Sequence, residues 1–191
     1  DEIAAAIVAA VDWLLGDPRR ACEVLGAIQS EDTVKRIAQA ASAGGEVLRK
    51  SEPLANEAFP DARVHTPLII KVDADQSDLY GEEQFGPIAY LVATAGTDES
   101  LSKAAELARR AGAITWSVYS TDAGVLKSAE DACADAGAAL SCNLTGQIYV
   151  NQAAAFSDFH VSGLNPSGNA TLCDAAFVAN RFRVVQTRTP A

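Results

Sequence analysis

The sequence predicts an α/β fold: an open, mostly parallel sheet flanked by helices. Two observations carry the prediction. Between residues 88 and 150, short β-rich apolar runs alternate with amphipathic helical stretches on short links. Two consecutive strand–helix–strand units of this kind need parallel strands with helices laid on the sheet faces. The 191 residues are 49% apolar, enough for a packed core, and 21% charged, which suits a soluble surface.

The elements follow in order. Ile3, Ile7, Val11 and Leu14 recur at helical spacing, making an amphipathic helix that Gly16-Asp17-Pro18 stops. A second short helix is expected over 19–28. Ser30 can cap a third, whose stripe of Val34, Ile37, Ala38 and Ala41 ends at Gly44-Gly45. Residues 48–63, mixed in polarity and holding Pro53 and Pro60, read as loop. Leu68, Ile69, Ile70 and Val72 make 66–72 a strand, and polar residues then run to Phe85-Gly86-Pro87 before a strand over 88–93. A helix opens at Asp98, places Leu101, Ala105 and Ala108 on one face, and closes at Gly112. A strand over 114–119 leads to a helix that starts at Thr121-Asp122 and ends at Gly137. Val125, Ala129, Ala132 and Ala136 form its buried side. The next strand is expected at 147–150, an irregular segment at 152–168, and a last short strand at 181–186. Residues 1–191 read as a single domain, with 178–191 a tail that offers an oligomerisation strand.

Charge and cysteine usage narrow the function classes. A net charge of −10 and a pI near 4.6 repel phosphate backbones, so nucleic acid is not expected as a partner. Arg19-Arg20, Arg109-Arg110 and Arg181/Arg183 are scattered pairs, not a patch. The apolar run over 4–11 is broken by Asp12 and preceded by Asp1-Glu2, so neither a membrane span nor a secretory leader is expected. Cys22, Cys133, Cys142 and Cys173 form no CxxC, and His65 and His160 lie far apart, which argues against a metal site or a disulfide scaffold. Reduced thiols in a cytoplasmic protein are the expectation. Asn143-Leu144-Thr145 and Asn169-Ala170-Thr171 then match the glycosylation pattern by coincidence.

One segment is more than generic. Glu82-Glu83-Gln84-Phe85-Gly86-Pro87, directly before a strand, resembles the Glu-x-Phe-Gly-Pro signature of aldehyde dehydrogenases. The resemblance implies that Glu83 accepts hydrogen bonds from the hydroxyls of a nicotinamide ribose and that Phe85 is an apolar wall beside it. The chemistry is apt, since a carboxylate offers two acceptor oxygens to a vicinal diol and a rigid aromatic loses little entropy on contact. Downstream, Gln147-Ile148-Tyr149-Val150-Asn151 is similar to the family's Val-x-Val-Asn strand. Ala155 through Gly163 stand where the family has Pro-Phe-Gly-Gly-x-Lys-x-Ser-Gly. Phe156, Ser162 and Gly163 match, but the paired glycines and the lysine are missing, which puts the family's backbone path there in doubt. The wording over 156–186, including Ser162-Gly163-Leu164-Asn165-Pro166 and Phe182-Arg183-Val184-Val185-Gln186, resembles the phenylacetate-degradation branch.

The resemblance implies an NAD- or NADP-dependent oxidation of a small aldehyde, with Phe156 and Phe159 lining the aldehyde pocket. In such enzymes a cysteine thiolate attacks the aldehyde, hydride leaves to the nicotinamide, and water releases the acid. No residue of this chain is assigned that catalytic role. Gly146-Gln147 is not followed by a cysteine, the Glu-Leu-Gly-Gly setting of the general base is absent, and His160 reads as structural. Asp1 opens within a helical pattern and the sequence has no methionine, so a carboxy-terminal portion of a larger enzyme, inert alone, is expected. The family also implies a homo-oligomer in which a strand of one subunit extends its neighbour's sheet. Two rival readings stand beside this one. A non-catalytic α/β binding or oligomerisation module is the first. A small nucleotide-binding protein is the second, disfavoured because Gly81-x-x-x-x-Gly86 lacks the Lys-Ser/Thr of a phosphate-binding loop.

Overall fold

The computed structural model describes residues 2–113, 115–143 and 185–187. The chain divides into two compact units, residues 1–94 and 95–191.

The first unit opens with three helices, α1 (Glu2–Leu15), α2 (Pro18–Val24) and α3 (Glu31–Ala43). α1 forms as expected but buries none of its residues, and Ile3 is 77% exposed. Its final carbonyls are closed by Arg20, which donates from Nε to the Leu14 carbonyl at 2.8 Å, reaches the Trp13 carbonyl with Nη2, and stacks 4.3 Å from the Trp13 ring centroid. α2 is started by Asp17, whose carboxylate accepts from the Arg19 and Arg20 amides, with Pro18 in the first turn where its missing N–H costs nothing. It ends at Val24, four residues short of the expected end. Leu25 turns extended, and the Ile28 amide instead donates to the Arg63 carbonyl at 2.7 Å, a partner no local pattern reveals. Ser30 caps α3 as its sequence suggests.

Six strands or short helices follow: β1 (Glu46–Arg49), β2 (Pro53–Leu54), β3 (Val64–His65), β4 (Leu68–Asp73), α4 (Ser77–Tyr80) and β5 (Ile88–Ala93). β4 is central, antiparallel to β1 and parallel to β5 with Ile70 opposite Tyr90. Leu68, Ile69, Ile70 and Val72 are each at most 2% exposed, as a strand covered on both faces requires. With Ile28, Ile37 and Ala40 most of them make the core, against which Val47, Leu79 and Ile88 pack. Fully burying each Leu, Ile or Val contributes about 1.5–3 kcal/mol. The expected loop over 48–63 is corrected here, because it contains the end of β1 and all of β2. Both are short, and what holds them is pairing with β4 and β3, partners that lie well downstream. The polar stretch after β4 likewise contains α4.

The second unit comprises α5 (Thr97–Ala111), β6 (Thr115–Val118), α6 (Ala123–Ala136), β7 (Ala139–Cys142) and β8 (Val185–Thr187). The order β6-β7-β8 is parallel throughout. β6, α6 and β7 form a parallel strand–helix–strand unit. Its β7 is a strand that the sequence did not suggest. β7 follows the left-handed cap at Gly137 (φ 74°) at once, and the expected strand at 147–150 lies outside the described residues. Ala139-Leu140-Ser141-Cys142 is poor in β-branched residues, so the strand is legible only from its burial, with Leu140 and Cys142 fully covered. They pack with Ala129, Cys133 and Ala138, beside Leu101, Trp116, Val118 and Leu126. β8 overlaps the expected terminal strand at Val185 and Gln186 and pairs with β7 of its own chain. Among the described residues the fold is thus α/β, with three parallel strand pairs and two antiparallel ones, and no helix is long and apolar enough to cross a membrane.

Candidate functional site

The segment between α4 and β5 carries Glu83 and Phe85, and its backbone is tied down at several points. The Gly81 amide closes α4 on the Ser77 carbonyl at 2.8 Å. The Gln84 side-chain amide donates to the Leu79 carbonyl at 3.1 Å, which folds the loop back on the helix it leaves. Arg36, on α3, donates from Nη1 to the Phe85 carbonyl at 2.6 Å, a charge-assisted bond from the helix to the loop. Gly86 takes φ +146°, a conformation side chains rarely adopt. At the far end the Leu68 amide donates to the Pro87 carbonyl at 2.8 Å, so the loop leaves in register with β4.

The side chains the sequence singled out are exposed on this scaffold. Glu83 is exposed, and its carboxylate enters no hydrogen bond or ion pair among the described residues. Phe85 is 67% exposed, although it is large and apolar. A fixed backbone that leaves a carboxylate with both oxygens open, two residues from an uncovered aromatic ring, fits a ribose diol flanked by an apolar ring. The residues present therefore suit the nicotinamide half of a dinucleotide. Phe156, Phe159 and His160 lie outside the described residues.

The cysteines divide by environment. Cys133 is 1% exposed and its thiol meets the Ala138 carbonyl at 3.3 Å, while Cys142 is fully buried in the same cluster. Both pack as small apolar residues. Cys22 is half-buried on α2 and faces an open cleft of about 600 Å³ with Asn56, Phe59 and Val64, its Sγ 3.9 Å from the Ala55 carbonyl. Cys173 lies outside the described residues. What sequence reasoning missed is Arg36. It stands in an ordinary helical pattern, and its partner is 49 residues away.

Residues 1–176 match the aldehyde dehydrogenase family. The chain is also similar to an NAD-dependent aldehyde dehydrogenase from Burkholderia multivorans, known from a crystal structure. The two share 52% sequence identity and a TM-score of 0.78, over 96% of this chain and 33% of that one. This chain thus spans about a third of that relative's length. No curated protein matches it. With the family matched over most of the sequence and a solved relative 52% identical over nearly all of it, the chain belongs to the aldehyde dehydrogenase family.

Proposed function

We propose that this chain is part of an NAD-dependent enzyme that oxidises an aldehyde to the corresponding acid, and that it supplies the clamp on the nicotinamide ribose. Glu83 accepts hydrogen bonds from the two ribose hydroxyls, and Phe85 closes the apolar side. The observation that carries the reading is the open Glu83 carboxylate, two residues from the uncovered Phe85 ring, on a loop fixed through its backbone. NAD bound here would supply the hydride acceptor for oxidation of the aldehyde carbon, with water as the source of the acid's second oxygen. What the chain's own residues contribute is orientation: a ribose held at two points cannot swing its ring away from the reacting carbon. The relative's dependence on NAD favours NAD over NADP.

Further parts of the reading rest on the sequence. Phe156 and Phe159 line the aldehyde pocket. The resemblance over 156–186 favours an aldehyde of phenylacetate breakdown, in a cytoplasmic homo-oligomer whose nucleophile and base lie outside these residues. The decisive experiment is Glu83→Gln in the full-length enzyme. An amide keeps one acceptor oxygen of two, so NAD affinity is expected to fall by about 1–2 kcal/mol, roughly five- to thirtyfold. The Kd for NAD, read by quenching of protein fluorescence, checks this. A Kd within twofold of the parent's sinks the ribose assignment.

A further inference from the structure

We infer that Arg36 is a positioning residue of this clamp: it fixes the peptide that aims Glu83 and Phe85, and so sets how tightly the cofactor is held. The inference rests on the reading of Glu83 given above and adds a residue to it.

The geometry begins on α3. Thr33, Arg36 and Ile37 stand three and four residues apart, so they share one face of the helix. That face meets the clamp loop at two consecutive residues. Arg36 holds the Phe85 carbonyl at 2.6 Å. A Cβ built on Gly86 would stand 3.0 Å from the Thr33 methyl and 3.9 Å from Ile37 Cγ1, so the helix and the loop backbone are in direct contact there. The carbonyl of Phe85 and the amide of Gly86 belong to one planar peptide, which the guanidinium therefore orients as a unit. That plane is joined directly to the Phe85 Cα and lies two residues from Glu83. Both clamp side chains are exposed, so neither is braced by burial of its own, and the loop's orientation comes from its backbone ties. Arg36 is half-buried, but its bond to Phe85 lies at an exposed position, so charge assistance and the short 2.6 Å length, not burial, give it strength. A guanidinium presents several donors in a rigid fork. A lysine keeps the charge but offers a looser point contact.

The test compares Arg36→Met, Arg36→Lys and Glu83→Gln in the full-length enzyme, with two readouts. One is the NAD Kd from fluorescence quenching. The other is hydrogen exchange of the amides over 82–86 without cofactor. Arg36→Met is expected to speed that exchange and to weaken NAD binding, each by roughly tenfold, while Arg36→Lys restores much of both. Because Arg36 acts through Glu83, adding Arg36→Met to Glu83→Gln should weaken NAD binding little further. Unchanged NAD affinity in Arg36→Met, with Glu83→Gln impaired, overturns the positioning role and leaves the ribose reading standing. Unchanged affinity in Glu83→Gln overturns the ribose reading itself, and the inference falls with it. If Arg36→Met fails to fold, Arg36→Lys decides: faster exchange together with a weaker Kd, each by less than tenfold, supports the role, and an unchanged Kd overturns it.

Discussion

Gly45 shows how much of this fold depends on single atoms. It sits in the turn between α3 and β1 at φ +80°, and a Cβ there would lie 2.8 Å from Ile70 Cγ2, from the Lys71 carbonyl and from Val72 Cγ1. Ile70 and Val72 are buried in β4, and a backbone carbonyl cannot rotate away. Strain and overlap act together at this position, so Gly45→Ala is expected to cost more than about 2 kcal/mol. Urea unfolding measures it, and an unchanged midpoint would mean that the turn relaxes freely. The sequence showed the pair Gly44-Gly45 as a helix stop but not the approach to β4, which is a tertiary fact. The site divides in the same way. Glu83 and Phe85 were legible because their motif is contiguous, whereas Arg36 was not, because it meets Phe85 only once α3 is folded against the loop.

Helices other than the four-residue α4 were read well at the level of elements because their ends are written locally. Ser30 and Asp122 cap α3 and α6 within three residues of themselves, and Gly112 and Gly137 close α5 and α6. Strands were read where they are long and apolar, as in β4 and β5. β1, β2, β3 and β7 escaped because each is four residues or fewer and is defined by partners elsewhere in the chain. α6 depends on such a cap. The Asp122 carboxylate accepts from the Gly124 amide at 2.7 Å and the Val125 amide at 3.2 Å, satisfying donors that otherwise have no partner in the first turn. Asp122→Ala should therefore lower stability by about 1 kcal/mol, and Asp122→Asn by less, since the amide oxygen can take the same place. Equal urea midpoints for the parent and the alanine variant would show that the cap adds nothing to α6.

Two expectations concern the whole molecule. β8 lies along β7 of its own chain, which uses one of its two backbone edges. Association through the tail must then use the other edge, as a strand added by a second copy. Light scattering should find a species above the 19.9 kDa of one chain, and a concentration-independent monomer rejects it. The stronger expectation is that this chain alone oxidises no aldehyde. Catalysis in the proposed reaction needs a thiolate with room for a carbonyl and a base to manage water. Cys133 and Cys142 are packed inside the second unit, where no aldehyde can reach them without unfolding. Cys22 can be reached, but His65, the histidine within the same unit, is on β3 and forms no hydrogen bond with it among the described residues. Reaching the cleft is not the same as being activated in it. Mixing the chain with NAD and phenylacetaldehyde should therefore give no rise in NADH absorbance. A rise that disappears in Cys22→Ser would overturn the argument and relocate the chemistry to α2. Recovery of activity on adding the remainder of the enzyme, with NAD affinity that depends on Glu83, is the outcome the clamp predicts.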